Sequence, residues 1–251
     1  MCGIIGYVGS RASKDLLLQG LERLEYRGYD SAGIALLEDD GLDYVRAVGN
    51  LQNLKAAAGS NGSHATTGLG HTRWATHGGV TEHNAHPLTG CEDSKLAIVL
   101  NGIVENYREL REELIARGHA FSSETDAETV AHLLEEAYDE SGDLVAAVRS
   151  VYARLEGHFT FVVIHKDEPT RLVGVRHQTP MVVGLGENEN FLASNLAAFL
   201  AQTRRVQFPD DGDVVEITRE SVTIVRADTG ETVERDVVDV DWDDDAAERS
   251  G

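Results

Sequence analysis

MCGIIGYVG (residues 1–9) opens the chain with a cysteine and a short apolar run that glycines interrupt. This pattern predicts a buried strand. If Met1 is removed, Cys2 carries a thiol and a free α-amino group, with reference pKa values of about 8.5 and about 7.7–8.0. The amine can then accept the thiol proton during attack, so the stretch predicts a nucleophile with its own base. The alternative is a buried strand cysteine that follows a retained Met1.

Length and composition limit the class of protein. The 251 residues, 41% of them apolar, suit one large domain or two small ones. The sequence has neither an apolar run long enough to cross a membrane nor the pattern of a secretory signal, which predicts a soluble, cytoplasmic protein. Cys2 and Cys91 could form at most one disulfide, so reduced thiols are expected. Cys91 is expected to be a small, buried apolar residue.

The charge balance is strongly acidic, with 43 Asp and Glu against 22 Lys and Arg and a formal net charge of -21. Such a chain is a poor partner for nucleic acid. Only four of the basic residues are lysines. Repulsion among surface carboxylates is screened at high salt, and together with the scarcity of lysine this favours a salt-adapted, halophilic protein over an ordinary acidic cytosolic one.

Hydrophobic periodicity predicts an α+β fold built from antiparallel hairpins. Ser13 is expected to cap a helix that buries leucines on one face. Residues 33–38 and 42–48 are expected to pair across Asp39–Gly41. Further helices are predicted over 105–117, with Gly118 as the stop signal, 127–139 and 143–155, with a helical interruption near Asn195. The other predicted strands cover 68–74, 95–102, 158–165, 171–176, 181–186, 213–218, 221–226 and 231–237.

Four stretches combine glycine with polar or charged residues beyond what packing requires: YRGYDSAG (26–33), GHTRWATHG (70–78), LNGIVEN (100–106) and SETDAE (123–128). Loops at strand ends often carry function, although each stretch alone could be an ordinary turn. Four histidines also cluster in sequence, at positions 71, 77, 83 and 86. Their spacing does not match a helical zinc motif and no cysteine pair accompanies them, so we expect no metal there.

Taken together and in order, CGIIGYVG, LERLEYRGYDSAG, GHTRWATHG, NAHP, LNGIVENYREL and SETDAE resemble the glutaminase domain of the glucosamine-6-phosphate synthases. These enzymes belong to the class II, N-terminal-nucleophile amidotransferases. The resemblance implies a four-layer αββα sandwich with two antiparallel sheets. It also implies hydrolysis of glutamine to glutamate and ammonia through a γ-glutamyl thioester on Cys2, without a metal or an organic cofactor.

The resemblance also assigns roles to individual residues. Asn101, through its side-chain amide, and Gly102, through its backbone N–H, would form the oxyanion hole, which suits an Asn-Gly pair at the end of a strand. Opposite charges would hold the two ends of the substrate, the α-carboxylate and the α-ammonium. The resemblance assigns the carboxylate to Arg73 and the ammonium to Asp126. It also implies further glutamine contacts by Thr76 and His77, a role in ammonia passage for Trp74 and support of the nucleophile's loop by Arg27.

Two departures from the family pattern are expected to matter. Leu88 stands where the family commonly continues NAHP with a histidine, so the role of that histidine is not transferred. The sugar-isomerase half, which would bind fructose 6-phosphate and receive the ammonia, is not found in this sequence. We expect residues 1–239 to form the glutaminase domain and residues 240–251 an acidic tail or linker. The sugar-isomerase part is then a partner in cis or a separate subunit, and a homodimer is a further expectation.

Alternative functions stay open on the residues alone. The chain could be a catalytically silent domain of the same fold that binds an amino acid or regulates a partner. It could also be the glutaminase of another class II amidotransferase. The simultaneous presence of Cys2, Arg73, Asn101 and Asp126 favours an active enzyme, because a silent relative need not keep all four.

Overall fold

The computed structural model describes residues 2–92 and 95–241. Its strands are β1 (Gly3–Gly9), β2 (Ser31–Glu38), β3 (Gly41–Val48), β4 (Thr67–Arg73), β5 (Leu96–Val104), β6 (Gly157–His165), β7 (Arg171–His177), β8 (Val182–Leu185), β9 (Glu189–Ala193), β10 (Arg205–Gln207), β11 (Asp213–Thr218), β12 (Val222–Arg226) and β13 (Val238–Asp239). Its α-helices are α1 (Ser13–Leu24), α2 (Leu51–Ala58), α3 (Tyr107–Ala116), α4 (Asp126–Ser141) and α5 (Leu144–Tyr152).

These strands form two antiparallel sheets. The larger sheet has the order β13-β10-β8-β9-β1-β4-β2-β3, and the smaller has the order β12-β11-β7-β6-β5. The predicted β2–β3 hairpin is present, but Gly41, which was expected in the turn, begins β3 and pairs with Glu38. The antiparallel strands β1 and β4 are neighbours at the centre of the larger sheet. Cys2, which precedes β1, therefore lies beside Trp74, which follows β4.

Alternation along the strands creates three apolar cores and hence four layers. In β1, Ile4 and Val8 pack between the sheets, whereas Ile5 and Tyr7 pack toward α1 and α2. In β5, Ala97 and Val99 face the space between the sheets, while the alternate residues pack against α3, α4 and α5. The α+β, αββα sandwich expected from the sequence is therefore confirmed.

Several local expectations need correction. Ser13 does not cap α1: it is the first helical residue, and its hydroxyl donates to the Ala65 carbonyl at 2.9 Å. Residues 231–237 form no strand beyond a single bridge from Thr232 to Val225, on the open edge of β12. Helix α2 was not predicted, because its eight residues show little periodicity. The interruption near Asn195 is one 3₁₀ turn over 196–198.

The acidic stretch predicted as a tail or linker lies mostly outside the described residues, which end at 241. Val240, at the end of the described part, is buried, and its N–H donates to the Arg204 carbonyl. No helix among the described residues combines the length and the apolar character that a bilayer crossing requires.

Candidate active site around Cys2

Cys2 lies directly before β1, beside the residue that follows β4. Its Sγ accepts a hydrogen bond from the backbone N–H of Trp74 at 3.2 Å and lies 3.4 Å from the Trp74 carbonyl. Burial raises the pKa of the Cys2 thiol, although the Trp74 contact and the nearby Arg73 guanidinium act in the opposite direction. Because the thiol is favoured over the thiolate, attack by this sulfur needs a base.

A cavity of about 360 Å³ opens at Cys2. A smaller recess of about 10 Å³ adjoins it and reaches toward α4. The structure brings every residue to which the resemblance gave a role to these two spaces. Arg27 and Asn101 line the cavity, Arg73, His77 and Asp126 line the recess, and Cys2, Trp74, Thr76 and Gly102 line both. Their positions converge, and their individual roles stay predictions.

Asn101 and Gly102 lie inside β5, not at its end as expected, because the strand continues to Val104. Gly102 has φ of +100°, and a Cβ built there would lie 2.0 Å from the His158 carbonyl oxygen of the neighbouring strand. Only glycine fits this conformation and this close approach. The Asn101 side-chain amide donates to the Cys2 carbonyl at 3.0 Å, which holds it next to the thiol-bearing residue.

His71 positions that amide. Its Nε2 lies 3.1 Å from the Leu100 carbonyl and 3.2 Å from Asn101 Oδ1, both of which are acceptors. The Nε2 must therefore carry the proton, and Asn101 is turned with its oxygen toward His71 and its NH₂ toward Cys2. Burial lowers the pKa of His71 to about 3, so the ring is neutral at physiological pH.

His86 stacks on His71 with ring centroids 4.2 Å apart, and burial lowers its pKa well below the usual value. None of the four histidines considered as metal ligands belongs to a metal-like cluster in the part of the chain that the structure describes.

Leu88, where the family has a histidine, is a buried core residue whose N–H donates to the Ile98 carbonyl at 2.9 Å.

Arg73 holds the loop that follows β4. Its guanidinium donates to three successive backbone carbonyls, those of residues 77, 78 and 79. Asp30 accepts from the Ala75 N–H at 2.9 Å and fastens the other end of this loop. Asn84 donates to the Gly79 carbonyl and accepts from the Glu124 N–H, so it ties the loop to the segment before α4.

Asp126 begins α4 and is buried at the far end of the recess. One carboxylate oxygen accepts from the Val104 N–H at 2.8 Å, and the other lies 3.9 Å from His77 Nδ1. Burial raises the pKa of this carboxyl above its usual value, even though Val104 and His77 act in the opposite direction. A charged Asp126 is thus a desolvated anion in need of a cation.

Arg27 is linked through Ser194 to β1, the strand that follows Cys2. Its guanidinium donates to the Ser194 carbonyl at 3.2 Å, and Ser194 exchanges hydrogen bonds with the backbone of Ile4. Trp74 projects from the rim with 48% of its surface exposed, and its indole meets Tyr29 edge-on at 5.9 Å. Arg27 therefore acts at the base of the site and Trp74 at its opening.

Sequence reasoning missed the positioning residues His71, Asp30 and Asn84. All three lie within motifs that were recognised, but their residue types are also common in ordinary turns and strands. A buried polar residue inside a predicted strand, as His71 is in β4, was the available signal, because such a group needs a partner.

Comparison with known proteins shows the family of the chain. The model of the family described as "Glutamine amidotransferase domain" matches residues 71–201, more than half of the chain. Among curated relatives, a glutamine–fructose-6-phosphate aminotransferase (isomerizing) of Thermus thermophilus is 53% identical over all of this chain and 41% of its own length. The namesakes from Streptomyces coelicolor and Thermococcus kodakarensis are 50% and 44% identical, again over all of this chain and 41% and 42% of theirs.

The chain thus spans about two fifths of the length of these curated relatives. The solved structure of a glutamine phosphoribosylpyrophosphate amidotransferase from B. subtilis, complexed with ADP and GMP, superposes on 90% of this chain and 49% of its own. The TM-score is 0.77 and the identity 22%, which supports the fold alone. By the match over residues 71–201, the chain belongs to the glutamine amidotransferase domain family.

Proposed function

We propose that this chain hydrolyses the side-chain amide of glutamine through a thioester on Cys2. The observation that carries the proposal is the placement of the Cys2 sulfur 3.2 Å from the Trp74 N–H, at a cavity that Asn101 and Gly102 also line. A nucleophile, amide donors and a glycine backbone thus surround one point where a carbonyl carbon could sit.

The reaction balances with the residues present. Once Met1 is removed, the α-amino group of Cys2 takes the thiol proton as sulfur attacks the amide carbon. Asn101 Nδ2 and the Gly102 N–H stabilise the oxyanion. The ammonium returns its proton to the leaving nitrogen, which departs as ammonia. Water then attacks the thioester, giving glutamate and the free thiol. Met1 itself lies outside the described residues.

The recess supplies the specificity of this proposal. Arg73 and Asp126 lie at it with opposite charges, which suits the α-carboxylate and the α-ammonium of an amino acid. Thr76 and His77 add polar contacts. Arg73 uses three of its five N–H donors on the loop carbonyls, which leaves two for a substrate carboxylate. Because the recess has room for about one water molecule, glutamine binding would require the recess to widen.

The use of the ammonia is inferred from the relatives. Their name couples glutamine to fructose 6-phosphate, and they extend well beyond the length of this chain. We infer that ammonia passes the exposed Trp74 to a sugar-isomerase part, in cis or as a separate subunit, for synthesis of glucosamine 6-phosphate. The cytoplasmic location, a homodimer and salt adaptation stay predictions.

A glutamate-release assay combined with intact-mass measurement tests the proposal. Protein that has lost Met1 should release glutamate and ammonia in equal amounts, whereas Cys2→Ala should release neither and still bind glutamine, because Arg73 and Asp126 remain. Protein that retains Met1 should also be inactive, since its base has become a peptide nitrogen. Glutamine binding without any turnover in Met1-free protein would instead support the silent, regulatory domain.

A further inference from the structure

Outside the Cys2 site, four potential metal ligands converge from three segments of the chain. Cys91 lies in the loop before β5, His119 in the loop before α4, and His132 and Glu135 one turn apart on α4. One ligand atom from each of the four lies within 4.8 Å of all the others. Cys91 is exposed, contrary to its expected burial as an apolar residue, whereas His132 and Glu135 are buried.

Five of the six separations between these ligand atoms are 3.1–3.7 Å, close to those of a tetrahedron around a single ion. Cys91 Sγ lies 3.3 Å from His119 Nδ1 and 3.5 Å from His132 Nδ1, and the two Nδ1 atoms are 3.1 Å apart. Glu135 Oε2 lies 3.7 Å from each Nδ1. Zinc bonds of about 2.0–2.1 Å to nitrogen and about 2.3 Å to sulfur place tetrahedral ligands about 3.3–3.6 Å apart.

The outer nitrogens of the two histidines face carboxylates. His119 Nε2 lies 2.9 Å from Glu136 Oε1, and His132 Nε2 lies 3.8 Å from Glu128 Oε1. The contact of His119 favours protonation of its Nε2 and leaves its Nδ1 lone pair turned toward the thiol, whereas the 3.8 Å separation at His132 is too long for a hydrogen bond. Metal-binding histidines commonly donate their outer N–H to a carboxylate, as His119 can to Glu136.

The carboxylate ligand is also held in place. Glu135 accepts hydrogen bonds from the backbone N–H groups of Cys91 and Glu92, at 3.0 and 3.1 Å. Each carboxylate oxygen has two lone pairs, so these bonds leave capacity for an ion. Without a cation, two imidazole nitrogens, a sulfur and a carboxylate oxygen face one another with too few protons to form hydrogen bonds between all of them.

We propose that Cys91, His119, His132 and Glu135 bind one zinc ion, which ties the loops before β5 and before α4 to helix α4. Two nitrogens, a thiolate and a carboxylate suit zinc, and four protein ligands leave no open position, so the role is structural. None of the four is among the described residues that line the spaces at Cys2. The proposal does not depend on the glutaminase activity.

Zinc titration of chelator-treated protein tests the site, and it is best made in a Cys2→Ala background. An N-terminal cysteine with a free amine also chelates zinc, and this substitution removes that competing site. We expect about one zinc per chain and a rise in the thermal midpoint on zinc addition. Cys91→Ser should weaken binding by at least tenfold, as should Glu135→Gln, whereas His64→Gln, which changes an exposed histidine elsewhere, should bind as the parent does.

Cobalt substitution gives a spectroscopic readout that a change in protein stability does not produce. Co²⁺ bound by the parent should show a thiolate-to-metal charge-transfer band, and Cys91→Ser should lose it while circular dichroism shows the same fold. Absence of stoichiometric zinc binding by the Cys2→Ala protein would overturn the proposal. Equal zinc affinity in Cys91→Ser and the parent would overturn it as well.

Discussion

His71 Nε2 lies 3.2 Å from the side-chain oxygen of Asn101, and the NH₂ group of the same Asn101 amide donates to the Cys2 carbonyl at 3.0 Å. A neutral, buried histidine therefore fixes which end of the amide faces the nucleophile. If Asn101 is an oxyanion donor, its orientation is as important as its presence, because a flipped amide would present an oxygen to a developing negative charge.

Replacement of His71 should impair catalysis more than substrate binding. His71→Leu removes the donor that orients Asn101, so we expect kcat to fall by about tenfold or more with little change in KM. His71→Gln can place an amide N–H near the former Nε2 and should recover part of the loss. Steady-state kinetics of the two variants provide the measurement. Equal losses of kcat in both would indicate general packing damage instead of an orienting role.

Gly102→Ala should be unusually harmful for so small a change. The added Cβ meets the His158 carbonyl at 2.0 Å in a backbone with φ of +100°, so the strand must shift or remain strained by about 1–3 kcal/mol. Both the thermal midpoint and kcat should fall. Gly118→Ala is the matched control, because φ is +102° there but no atom lies within 4 Å of the added Cβ. That control should lose some stability and keep its kcat.

Asp126→Asn should make the protein more stable and a poorer glutamine binder. Burial raises the folded-state pKa of Asp126 above the unfolded value, so the stability gained from its protonation is present at low pH and is lost as pH rises through the folded pKa. At neutral pH the carboxylate is an anion with a desolvation cost, which the neutral amide avoids.

Thermal melting at neutral pH should therefore give a higher midpoint for Asp126→Asn than for the parent, and KM for glutamine should rise by at least tenfold with loss of the charge contact. The difference in midpoint should shrink as pH is lowered, because the parent carboxyl then becomes protonated. Glu112→Gln, at an exposed carboxylate, should change neither quantity. A lower midpoint for Asp126→Asn at neutral pH would contradict the burial argument.

Salt should stabilise the fold. With a net charge of -21, surface repulsion opposes the compact state, and the Debye length falls from about 10 Å at 0.1 M to about 3 Å at 1 M salt. The thermal midpoint should rise between about 0.1 M and about 2 M potassium chloride. Molar salt also strengthens apolar burial, so a variant with part of its surface Asp and Glu replaced by Asn and Gln is the control. That variant should gain less from salt than the parent does.

Local sequence determined much of this protein. The apolar runs of residues 3–9 and 95–102 were enough to predict buried strands, because a short apolar run bounded by turn residues is typical of a strand covered on both faces. The turn residues Asp39–Gly41 likewise predicted a hairpin from nearby residues alone, although the turn itself is one residue shorter. The ordered motifs from Cys2 to Asp126 were enough to indicate the family. Errors occurred where the local signal was weak, as at Ser13, α2 and residues 231–237.

Only the tertiary structure decided which groups share a hydrogen bond or a ligand shell. His71 and Asn101 lie on strands of different sheets, and Cys91, His119 and His132 are separated along the chain by 28 and 13 residues. No periodicity or turn rule relates such positions, because their proximity results from the packing of sheets and helices around the cores. The sequence could therefore indicate Cys2 as a nucleophile. The histidine that orients the Asn101 amide and the proposed zinc ligands could be recognised only from the packing of the layers.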